Sequence, residues 1–158
     1  MASLYDNERD LKYSLNEVFI ERKKLLGDIE FYSCSRENVA IYRTRIYDGL
    51  LRKISSNTEL EIAYNGLTLS LELTLGGVTR FNSRYIEDEL WKVYRNQQAS
   101  GKKPVFSFGA HQIGSSTISI YFTTSETGSC TYGISMALLQ YVDYVYKLYE
   151  LLGNNYAN

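Results

Sequence analysis

Between Asp6 and Leu26 the apolar residues Leu11, Leu15, Val18, Phe19, Ile20, Leu25 and Leu26 recur at steps of three and four, with Glu8, Arg9, Lys12, Glu17, Glu21 and Lys24 filling the gaps. That spacing gathers the apolar set on one side of a 3.6-residue helix, and Gly27 stands where such a helix ends. The same period runs from Arg36 to Ile54 through Val39, Tyr42, Ile46, Leu50, Leu51 and Ile54. It predicts a second helix, although Gly49 inside it costs about 1 kcal/mol relative to Ala. Asp28–Cys34, between the two, reads as a short strand or a loop.

The period changes to two in TELEIAYNGLTLSLELTL, residues 58–75. Asn65-Gly66 is the dipeptide that accepts positive φ at both central positions of a type I′ turn. A two-residue loop there pairs Tyr64 with Leu67, Ile62 with Leu69 and Leu60 with Leu71. It places every apolar residue on one face, and Glu59, Glu61, Thr68, Ser70 and Glu72 on the other. After Gly76-Gly77, the residues Tyr85, Ile86, Leu90, Val93 and Tyr94 mark a helix over Ser83–Gln98, with Glu87, Asp88 and Glu89 early, where they favour the dipole. A second hairpin follows, VFSFGAHQI returning through Gly114-Ser115 into STISIYFTT, with room for a bulge at Gly109. The last helix starts between Ser129 and Ser135 and runs to Leu152, where Gly153 stops it.

The predicted order is helix, helix, hairpin, helix, hairpin, helix. It implies a single α+β domain over residues 1–158, an antiparallel sheet from two hairpins packed against helices in a two-layer sandwich. Residues 1–56 supply the two N-terminal helices, and 57–158 supply two hairpin–helix units.

On the last helix Leu138, Tyr141, Val142, Val145, Leu148, Tyr149 and Leu152 form one stripe, and Gln140, Asp143, Lys147 and Glu150 the opposite one. Tyr144 falls next to the polar side and Tyr146 at a flank. The wide band either covers a broad sheet or leaves a rim of rings for another chain. Tyr141, Tyr144, Tyr146 and Tyr149 are therefore candidate partner-binding residues. A rim position for Tyr144 implies that its removal leaves melting unchanged and weakens association.

Composition narrows the function. Seventeen Lys+Arg against eighteen Asp+Glu give a formal charge of −1, so the chain lacks the basic footprint that would neutralise several phosphates, and nucleic acid is not expected as a partner. The first residues, MASLYDNERDLKY, carry charges where a signal peptide would be apolar, and no run reaches the ~18 apolar residues of a spanning helix. A cytoplasmic protein with no membrane partner is expected. Fifteen tyrosines beside a single proline are a surplus of rings with a polar tip, suited to interfaces. Codon usage in an AT-rich genome, which also raises Asn, Lys and Ile, is the alternative.

Chemistry is sparse. With one histidine, His111, and two distant cysteines, Cys34 and Cys130, no metal site, disulfide framework or CxxC motif is indicated, and both thiols read as small buried apolar groups. A Cys–His dyad would have to use His111, which falls mid-hairpin. No P-loop or GxGxxG is present. The stretch TSETGSCTYG (Thr124–Gly133) lies just before a helix and is the candidate anion-binding loop, with Ser125, Thr127, Gly128 and Ser129 presenting its N–H and hydroxyl groups. No catalytic residue, metal ligand or cofactor is assigned.

From about Tyr85 onward, a helix ending in YRNQQASGKKP, the hairpin VFSFG…STISIYFTT and the closing helix SMALLQYVDYVYKLYELL resemble the fold shared by type III secretion chaperones and YbjN-like small proteins. The resemblance implies a small cytoplasmic α+β domain, often dimeric, that binds an extended segment of a partner. Two helices ahead of the first hairpin depart from that pattern. The expected function is a non-enzymatic adaptor or chaperone-like module that recognises a protein partner, with a homodimer as a further option, through sheet edges and the tyrosine-rich last helix. A structural subunit of a viral or other large assembly is the first alternative. A small-ligand-binding or hydrolytic domain using the 124–133 loop is the second.

Overall fold

Helix α1 (Leu4–Phe19) begins at Ser3, whose hydroxyl accepts the Asp6 N–H while the Asp6 carboxylate accepts the N–H of Ser3. The computed structural model describes residues 3–20, 22–102, 104, 106–124 and 131–156, with backbone alone at 23, 24, 131 and 154–156. Leu11, Leu15, Val18 and Phe19 form the buried stripe of α1, as their spacing predicts. The chain turns at Ile20 and resumes as the single turn α2 (Lys23–Leu26), which ends at Gly27 with φ 72°.

The predicted second helix is not formed. Its residues make β2 (Ala40–Ile46), which pairs with the two-residue β1 (Tyr32–Ser33), and then a 3₁₀ turn over Leu50–Lys53. Ala40, Tyr42, Thr44 and Ile46 point into the core, while Arg43 and Arg45 point out. Tyr42 and Ile46 share a face at helical and at strand spacing alike, and the run of Ile, Tyr and Thr decides for strand. The N-terminal third is thus one long helix and two strands rather than two helices. Gly49 sits at the 3₁₀ turn with φ 87°, against the backbone of Gly27.

The first hairpin pairs β3 (Asn57–Tyr64) with β4 (Leu69–Gly76) in the register Tyr64↔Leu69, Ile62↔Leu71 and Leu60↔Leu73. This is two residues from the expected register, so the same side chains keep the same faces. The reversal centres on Gly66-Leu67. Asn65 Oδ1 accepts the N–H of Leu67 (3.0 Å) and of Thr68 (2.8 Å), and only Gly66 takes positive φ, at 97°. Helix α3 (Ser83–Ala99) follows the predicted span, with Asn82 as its cap. The second hairpin, β5 (Ser107–Gln112) with β6 (Ile118–Thr124), keeps a continuous register. Helix α4 (Thr131–Tyr156) runs through Gly153 instead of stopping there.

The six strands lie in the order β1-β2-β3-β4-β6-β5, all antiparallel. Three long helices cover one face, with α4 in the middle against α1 on one flank and α3 on the other, so the chain is an α+β two-layer sandwich. Alternate residues Leu60, Ile62, Leu71, Leu73, Ile120 and Phe122 meet that helical layer and join one core that extends from Leu11 to Leu152. The other sheet face is left open. No helix among the described residues is long and apolar enough to cross a membrane.

The approach of Gly49 to Gly27 supplies a test. A Cβ on Gly49 would stand 2.5 Å from the Gly27 nitrogen and 2.7 Å from the Leu25 carbonyl oxygen, both backbone atoms. Overpacking and positive φ together make Gly49→Ala cost about 2–5 kcal/mol. Urea denaturation should show that loss. Gly114→Ala, which has open space around it, should leave the midpoint nearly unchanged.

Candidate interaction surfaces

The middle position of α4 decides the fate of its tyrosines. Tyr141 is 0% exposed; its ring stacks on Phe122 at 5.4 Å, and its hydroxyl donates to the Leu69 carbonyl oxygen at 2.9 Å and meets the Thr124 hydroxyl. Tyr144 is 3% exposed and packs edge-on against Phe106 at 4.9 Å, with Phe108 beyond at 5.9 Å. Tyr146 and Tyr149 are half-buried against the core. The expected rim of free rings on α4 is therefore absent, because α1 and the aromatic side of β5 cover the flanks that a helix on a bare sheet would leave open. The exposed tyrosines among the described residues are Tyr5 and Tyr13 on α1, Tyr132 at the start of α4, and Tyr32 and Tyr47 beside β2.

The sheet edges, expected to receive a partner, are both blunted. Edge strand β1 is two residues long. On edge strand β5 the Ala110 N–H donates to Glu87 Oε1 at 3.4 Å, and the Ser83 N–H at the start of α3 donates to Gln112 Oε1 at 2.9 Å. Helix α3 thus lies along β5 and takes up one ladder donor, the Ala110 N–H, that another strand would use.

The open face has a distinct corner. Register places Arg43 opposite Glu61 and Arg45 opposite Glu59, and each pair closes, at 2.7 Å and 2.8 Å. The carboxylates hold both guanidinium pKa values above the ordinary arginine range, with Glu61 acting on Arg43 and Glu59 on Arg45. Tyr32 (54% exposed) and Tyr47 (71% exposed) flank this double pair. The result is an aromatic and arginine surface whose positive charge is already answered from the next strand. Pattern reading put Glu59 and Glu61 on this face but missed their partners, because Arg43 and Arg45 were assigned to a helix.

Within the helical layer, a cavity of about 450 Å³ opens between α3 and α4. Pro104, Phe106, Met136 and Leu139 give it apolar walls, and Tyr144 closes one side. At its rim Gln97 Nε2 donates to Asp143 Oδ2 at 3.2 Å and ties the two helices together. The Tyr144 hydroxyl is sealed from water and has no hydrogen-bond partner, unlike every other buried side-chain polar atom among the described residues. Burial, with the nearby Tyr94 and Asp143 adding to it, pushes its pKa up to about 12.

His111 is exposed on β5 and stacks on Tyr121 at 5.0 Å. Cys34 is half-buried beside β2, five strand spacings away across the sheet, roughly 24 Å, so these two residues form no dyad. The candidate anion-binding residues Ser125, Thr127, Gly128 and Ser129, together with Cys130, lie outside the described residues. No protein-family model, curated protein or solved structure matches this chain.

The buried phenols give opposite expectations for one substitution. Tyr141→Phe removes the bond to Leu69 and should cost about 1 kcal/mol, whereas Tyr144→Phe removes a hydroxyl that is buried without a partner and should leave stability equal or higher. Tyr144→Ala should cost about 3–5 kcal/mol, the price of an emptied aromatic site. Denaturant midpoints of the three variants check this, and equal behaviour of the two Phe variants would overturn it.

Alkali supplies a second check. Burial raises both phenol pKa values, so the folded state keeps protons that the unfolded chain gives up. Their stabilisation is complete below pH 10, the unfolded value, and is lost as pH rises through 10 toward the raised values. Melting temperature measured between pH 8 and 12 should hold steady and then fall above about pH 10. The fall should be shallower in the Tyr141→Phe variant.

Proposed function

We propose that the chain is a non-enzymatic binding module, an adaptor or chaperone-like protein, that docks a protein partner on the open sheet face at the corner formed by Tyr32, Arg43, Arg45 and Tyr47. The observation that carries this reading is the pairing of two exposed rings with two arginines already neutralised by Glu61 and Glu59. Tyrosine and arginine are the residue types that concentrate binding energy at protein interfaces. A neutralised corner offers no free positive field to a phosphate backbone, which favours a protein over a nucleic acid.

A second reading has its own support. The basic column on β2 stands beside the acidic column of Glu59 and Glu61 on β3, with Glu72 next on β4. Such a face is self-complementary about a two-fold axis, so a second copy of the chain, as in a structural assembly, also fits it.

One pair of measurements tests both. The wild-type chain and the double variant Tyr47→Ser with Arg45→Ser are purified from the native source and compared by sedimentation velocity. A stoichiometric partner that is retained by the wild type and weakened about 30-fold in the variant, a change of about 2 kcal/mol, supports docking at the corner. A concentration-dependent dimer lost in the variant supports the second copy. Identical behaviour of the two proteins, with unchanged circular dichroism, overturns both.

A further inference from the structure

We draw no further inference here: the strongest candidate, the groove between α3 and α4 walled by Pro104, Phe106, Met136 and Leu139, is an open apolar surface, and nothing in the structure shows what covers it.

Discussion

The ring of Tyr141 fastens helix to sheet. It lies flat on Phe122 of β6, and its hydroxyl reaches the Leu69 carbonyl oxygen at the start of β4 beside Thr124 at the end of β6. The contact therefore spans the seam between the two hairpins, where β4 pairs with β6. Each hairpin could close alone through its turn, but their alignment into one sheet depends on something lying across both. Helix α4 does this, and its central position follows from it, with α1 and α3 placed against its sides. Dispersion and apolar burial supply most of the energy. The phenol–carbonyl bond fixes where along the seam the helix rests.

That central position explains what the sequence pattern showed and what it hid. The hairpins and α3 were legible because their signals are local: Asn and Gly at reversals, alternation along strands, apolar residues at helical spacing in α3. The register of the first hairpin slipped by two residues because Asn65 serves as an acceptor for Leu67 and Thr68 rather than as a left-handed turn residue. Since a slip of two preserves side-chain facing, the core assignment was unaffected. Strand β2 was hidden by arithmetic, since residues four apart share a face in a helix and in a strand. Tyr144 was misplaced for a different reason. A helical wheel assumes one covered side, whereas α4 is covered below by the sheet and on both flanks by other elements. No local spacing carries that information; it depends on which helices become neighbours.

The surplus of rings divides accordingly. Tyr64, Tyr141 and Tyr144 fill large volumes in the core of a chain that has one tryptophan and six phenylalanines. Tyr32 and Tyr47 remain outside, next to strand-bound arginines. The phenol suits both environments because it carries a large apolar body and a single polar atom. The paired corner emerges only once β2 is a strand, for then Arg43 and Arg45 stand in line opposite the carboxylates that the first hairpin presents.

The contact between Glu87 and the Ala110 N–H has a meaning for the molecule in company. A sheet that stopped at β5 with its ladder groups bare would be a template, able to take on copies of itself end over end without limit. By lending one carboxylate from the neighbouring helix, the fold occupies a donor on that edge and makes the ribbon harder to extend. It leaves the flat side, dressed by side chains such as the paired Arg43 and Glu61, as the broad open surface of the sheet.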